Sequence, residues 1–196
     1  MTEKTSVVTS QRFAQGLSYK DYIAQIKVNK DLFEKFYNTA EEQLSPVDVV
    51  FFKKAVNAQG GPARVLVIGE DWCPDVFRGM PTIARVAEAS GMELRIFPRD
   101  TNMDIMNEFL NQGQYQSVPT MVFYTNDGRY LTHWIERPTQ VTKEMGELRA
   151  KVSEELKGKD ETEIRAEGTK RQRDLFPHWQ KVTIEDWKFT LAKFVK

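Results

Sequence analysis

The chain has 196 residues, enough for one domain with extensions or at most two small domains, and enough to bury a sizeable core. Its 28 basic residues balance 28 acidic ones, so no overall field steers it toward nucleic acid or an anionic membrane. No wholly apolar run is longer than Val65–Ile68, far short of the roughly 20 residues that span a bilayer. The opening Met-Thr-Glu-Lys-Thr-Ser is followed by no apolar segment and does not read as a signal peptide. One cysteine and two distant histidines supply neither an intramolecular disulfide nor a plausible metal set. The expectation is a soluble cytoplasmic protein with no metal, no cofactor, no nucleic-acid partner and no membrane span; the oligomeric state is left open.

In chain order, the first dozen residues are polar and read as loose. From Ser18, Tyr22, Ile23 and Ile26 recur at helical spacing. Asn29 or Lys30 opens a second run with Leu32, Phe33, Phe36 and Tyr37 on one face, and Ser45-Pro46 starts a third that stops near Ala58. Val65-Leu66-Val67-Ile68 is then a β-branched run of the kind found in a strand covered on both faces. After Cys73, the stripe Val76, Met80, Ile83, Ala84 and Ala87 predicts a helix ended by Gly91. Leu94, Ile96 and Phe97 predict a second strand, and a short helix follows from about Met103 to Leu110. Met121–Tyr124, the turn Asn126-Asp127-Gly128 and Tyr130–Ile135 read as a hairpin. A strand-helix-strand unit favours a parallel pair, and the hairpin adds antiparallel strands, giving a mixed sheet with helices packed on it.

Beyond Pro138 the chain is charged. Val141–Leu156 and Asp160–Leu175 read as helices separated at Gly158, and Phe176-Pro177 reads as a break. Thr183-Ile184-Glu185-Asp186 resembles a capping box opening a last helix lined by Ile184, Trp187, Leu191, Phe194 and Val195. Lys170-Arg171-Gln172-Arg173 is flanked by acidic residues and reads as a solvated helix face. His133 and His178 have no partner in the sequence pattern and read as structural or surface residues. The division expected is a helical extension over 1–60, an α/β core over 61–137 and C-terminal helices over 138–196, all in one globular unit.

Trp72-Cys73, set after a buried strand and at a helix start, resembles the active-site turn of the thioredoxin family. Pro81, inside the helix and eight residues past the cysteine, matches the family's kinking proline. Val118-Pro119-Thr120, just before the hairpin, looks like its cis-proline motif. The resemblance covers roughly Ala63 to Ile135 and implies a thioredoxin-like mixed sheet flanked by helices; the helical N- and C-terminal extensions fall outside a minimal thioredoxin, so the chain looks like a member of an extended thioredoxin-like group. The resemblance further implies Cys73 as the catalytic thiol and a substrate-binding surface from Trp72, Pro74, Val118, Pro119 and Thr120, Val118 being the residue that pairs with an extended peptide.

Elementary chemistry bears on the same stretch. A cysteine in the first turn of a helix faces unsatisfied N–H groups and the positive end of the helix dipole, which favour the thiolate; thiolate is the form that attacks a disulfide. Pro74 loses no needed hydrogen bond at the first helical position. Three features depart from dithiol chemistry. Val76 stands at the resolving-cysteine position, and Val67 stands where thioredoxins keep a buried aspartate. Glu70, Asp71 and Asp75 crowd the thiol with negative charge, opposed by Arg78 as the nearest cation in sequence. Pro74 after the cysteine is also a glutaredoxin feature, but Trp72 points to thioredoxin and no basic set matches the carboxylates of glutathione. Two functions follow. One is single-cysteine thiol–disulfide exchange through Cys73 with a protein or low-molecular-weight thiol or disulfide, which predicts a depressed thiol pKa. The other is a non-catalytic thioredoxin-like binding or scaffold module.

Overall fold

In the computed structural model, which describes residues 6–195, Val65, Leu66, Val67 and Ile68 are fully buried and form the heart of β1 (Arg64–Gly69). The polar start Met1–Thr5 lies outside the described residues. Parallel to β1 runs β2 (Glu93–Pro98), pairing Val67 with Ile96. On its other side β3 (Thr120–Tyr124) runs antiparallel, pairing Val67 with Met121, and β4 (Tyr130–Ile135) pairs antiparallel with β3. The strand order is therefore β2-β1-β3-β4. A continuous apolar run fits this position because β1 has a strand on either side and side chains buried on both faces.

Four helices precede the sheet: α1 (Ser10–Ala14), α2 (Tyr19–Gln25), α3 (Lys30–Gln43) and α4 (Pro46–Asn57). Short polar caps start three of them. Thr9 accepts from the Arg12 N–H, Ser18 from the Asp21 N–H, and Ser45 forms a reciprocal capping box with Asp48. The first dozen residues are thus not loose throughout: Thr9 caps α1, and Val8 and Phe13 enter the core, Phe13 edge-on to Tyr124 at 6.2 Å. One apolar pair among polar neighbours is too little periodicity to betray so short a helix.

Between β1 and β2 lies α5 (Pro74–Ser90), ended by Gly91 at φ 82°, a left-handed conformation that glycine adopts without penalty. The short α6 (Met103–Met106) is confined to the first turn of the expected Met103–Leu110 helix. Helix α7 (Thr139–Glu155) follows β4. The C-terminal third differs from expectation, because α8 runs unbroken from Glu161 to Leu191 with Pro177 inside it. Proline in a helix interior costs about 3 kcal/mol. Phe176, Trp179, Ile184, Trp187 and Leu191 are all buried along that helix, and each such side chain contributes roughly 1.5–3 kcal/mol, so packing outweighs the break. Thr183 is correspondingly no cap; its hydroxyl donates back to the Trp179 carbonyl at 2.7 Å.

The helices meet on the back of α5. Phe33 and Phe36 of α3, Phe77 of α5, and Phe176 and Trp179 of α8 form one aromatic cluster. Gln180 is fully buried there, and its Nε2 donates to the Phe36 carbonyl (2.8 Å) and to Thr82 Oγ1 (2.9 Å). Asp48 on α4, 1% exposed, accepts from Lys181 and Lys188 of α8 at 2.7 Å each. Helices from both ends of the chain therefore grip the element that begins at Cys73.

Candidate functional site

The site is built where β1 ends and α5 begins. A Cβ on Gly69 would lie 2.8 Å from Met80 and 2.9 Å from Val76, so only glycine lets the strand end press this closely on the helix. The turn between them is fastened by its own carboxylates. Glu70 accepts from the Asp100 N–H at 2.8 Å, and Asp71 accepts from the Lys27 and Val28 N–H groups at 2.8 and 3.2 Å. Burial raises the pKa of Glu70, partly offset by the Asp100 hydrogen bond. Both carboxylates thus serve neighbouring loops, and Asp75 and Glu136 are the carboxylates that act most strongly on the thiol.

Cys73 occupies the N-cap position with extended backbone, and its side chain makes no capping bond. Pro74 takes the first helical position and is exposed. The half-buried thiol lies 3.5 Å from the Val118 carbonyl and donates to it. The Val118–Pro119 peptide is cis. Val118, Pro119 and Thr120 are buried, and the Thr120 hydroxyl donates to the Ser117 carbonyl at 2.8 Å. Trp72, at 50% exposure, stands beside the thiol with the Arg99 guanidinium 5.1 Å from its ring centroid. The structure therefore gathers Trp72, Cys73, Pro74, Val118 and Pro119 in one place. Thr120 is adjacent but turned inward. Val76 and Val67 are both fully buried, so packing has taken the two positions that dithiol chemistry would use.

The thiol pKa is raised, and burial is the main cause. The backbone N–H groups of Val76 and Asp75 at the helix start pull the other way, which is the effect expected on first principles. The negative charges of Asp75 and Glu136 add to the upward shift. This corrects the depressed thiol expected for exchange chemistry: the helix start does favour thiolate, and desolvation outweighs it.

Two residues of the site are not apparent in the sequence reading. Arg137 pairs with Asp75 and with Glu136, and the Glu136 N–H donates to the Pro119 carbonyl at 2.7 Å. The segment after β4 thereby ties the start of α5 to the proline loop. The available signal is the Glu136-Arg137-Pro138 triplet directly after the last strand. Arg78, the nearest cation in sequence, is buried, 1% exposed, and a charged Cys73 favours its charged form. Arg78 pairs with Asp75 at 2.9 Å and stacks over Phe176 and Trp179. The histidines also have partners: Tyr130 Oη lies 2.7 Å from His133 Nδ1, and His178 Nε2 lies 3.1 Å from Glu144. In the basic run, Arg171 pairs with Glu155 and Glu167, as a solvated face requires.

No helix of the described residues is long and apolar enough to cross a membrane. No curated protein matches the sequence significantly. Two solved structures share the fold at 16% identity. One is a protein of unknown function, PA1234, from Pseudomonas aeruginosa (TM-score 0.62, covering 93% of this chain and 96% of that one). The other is an HIV 4E10 epitope-scaffold (TM-score 0.60, 92% and 96%). The family described as Thioredoxin matches residues 16–156, taking in α2 to α4, the whole sheet and α7. With that match over most of its length and a mixed four-stranded sheet flanked by helices, the chain belongs to the thioredoxin family.

Proposed function

We propose that this thioredoxin-like protein has a redox-related role in the cytoplasm, exchanging disulfides through Cys73 alone. The observation that carries the reading is the sulfur's position: half-buried, 3.5 Å from the Val118 carbonyl of the proline loop and beside the exposed Trp72. The Cys73 thiolate attacks one sulfur of a protein or low-molecular-weight disulfide. A Cys73 mixed disulfide forms and the other sulfur leaves as thiolate. An external thiolate then attacks the target sulfur, forming a new disulfide with it and returning Cys73 as thiolate. With Val76 in place of a second cysteine, nothing within the motif can perform that second step. A thiol with a raised pKa ionises little at neutral pH and is also a poor leaving group, so the adduct forms slowly and persists. The likeness to slow capture is therefore closer than to rapid reduction. Trp72, Pro74 and the Val118–Pro119 peptide form the target-facing surface in this reading, and Thr120, turned inward, braces the loop beneath them.

The raised thiol pKa and the buried Val76 favour a second reading, a non-catalytic binding or scaffold module in which Cys73 is incidental. Glutathione disulfide separates the two. Under exchange chemistry, mass spectrometry finds one glutathione on the native protein, formed faster as pH rises, absent in Cys73→Ser and removed by added thiol. A native protein that stays unmodified at alkaline pH, while its unfolded chain reacts, leaves only the binding module.

A further inference from the structure

At the hairpin end of the sheet, remote from the end that carries the cysteine, four aromatic side chains and one carboxylate line a cavity of about 320 Å³. Tyr130 and His133 are three residues apart, a spacing that normally places side chains on opposite faces of a strand. The register slip between Phe123 and Tyr124 puts them opposite Tyr124 and Val122, hence on one face. Phe109 closes the cup, its ring 6.2 Å from Tyr130 and 5.6 Å from His133. Burial lowers the pKa of His133, so its imidazole is neutral at physiological pH and does not repel a cation.

Glu108 supplies the charge. Its two oxygens accept from Ser6 Oγ and from the Val7 N–H, each at 2.6 Å, and it forms no ion pair with any described residue. Neutral donors hold the carboxylate in place without cancelling its charge. The hydroxyl of Tyr124, on the same wall, is buried and has no hydrogen-bond partner among the described residues. Among the described residues, the cup therefore combines aromatic walls, a carboxylate with no ion-pair partner and an unfilled polar contact. A compact, weakly hydrated cation with apolar flanks satisfies the first two at once, because ring faces attract cations and methyl groups fill apolar space. A hydroxyl on that cation could meet Tyr124.

We propose that this cup binds the quaternary ammonium group of a small molecule of the choline kind. The volume lies at the lower end for small-molecule pockets, which fits a compact ligand. The site is independent of Cys73 and does not rest on the exchange chemistry.

Titration calorimetry of the full chain with choline tests this, with 3,3-dimethylbutan-1-ol as the uncharged analogue of the same shape. Choline binds, and the neutral analogue binds at least about tenfold more weakly, as expected for a cation–π and carboxylate site. Tyr130→Ala, at a half-exposed position that tolerates truncation, abolishes the choline signal while leaving the melting temperature within a few degrees. Glu108→Gln weakens choline and leaves the neutral analogue unchanged. The proposal is overturned if choline gives no signal up to about 10 mM, if the two ligands bind alike, or if Tyr130→Ala binds choline normally. A trimethyllysine peptide that binds far more tightly than choline would overturn the small-molecule assignment.

Discussion

At Cys73, helix-start N–H groups favour the thiolate, while burial, Asp75 and Glu136 disfavour it, and the balance falls toward the thiol. The rate of iodoacetamide alkylation should accordingly titrate above the ordinary cysteine value of about 8.5. Glu136→Gln removes one negative contribution and should move that titration down, raising the rate at pH 7 by about twofold. A midpoint at or below the ordinary value would refute this account of the site. The same shift links the thiol to stability. In the folded state the proton is held more tightly, so the contribution is complete below the unfolded pKa and is lost as pH climbs from there through the folded pKa. Cys73→Ser should abolish that alkaline loss. At the neighbouring position, Val76→Cys should let an intramolecular disulfide form on oxidation, seen as loss of both titratable thiols. Removing buried methyl groups should cost about 0.5–1.5 kcal/mol in the reduced form.

Among the elements, those whose signals are local were legible from the residues alone. Ser18, Ser45 and Gly91 mark helix ends with side chains or a backbone conformation of their own, and Val65–Ile68 needs no partner to read as a buried strand. What escaped depends on distant partners. Pro177 reads as a break until the burial of Phe176 and Trp179 is known, and Thr183 reads as a cap until its bond back to Trp179 is seen. The same holds in the site: Trp72 and Cys73 are visible as a pair, whereas the burial that dominates the thiol and the reach of Arg137 to Asp75 arise only from the fold. The α4–α8 contact shows how such distant pairing is held. Burial pushes the Asp48 pKa up, but hydrogen bonds from Lys181, Lys188 and Ser45 outweigh it and bring it well below the usual carboxylate range. The stability this contributes is present above the unfolded value near 3.8 and disappears as pH falls through the lower folded value. Asp48→Asn should reduce unfolding free energy at pH 7 by about 1–3 kcal/mol and flatten the acid limb of the stability profile. Urea titrations at two pH values measure both effects.

For the whole molecule, the family match stops at residue 156, yet the core does not. Trp179 and Trp187 are fully buried on α8, Trp187 edge-on to Trp134 of β4 at 5.5 Å. Deleting everything after Leu156 strips five large buried side chains, each contributing roughly 1.5–3 kcal/mol, from a fold whose net stability is on the order of 5–15 kcal/mol. The shortened chain should show no cooperative thermal transition in near-UV circular dichroism. A sharp transition would mean that the matched region folds by itself and that α8 is an addition to it rather than a part.

Of the four tryptophans, Trp134, Trp179 and Trp187 are 7% exposed or less, and Trp72 alone stands half in solvent beside the sulfur. The long-wavelength edge of the emission spectrum therefore belongs to the turn that carries Cys73. Collisional quenchers such as acrylamide should silence that component first. Anything seated on Cys73 would shield it, shifting emission to the blue and lowering the quenching constant. The protein thus carries its own optical readout of occupancy, without a label.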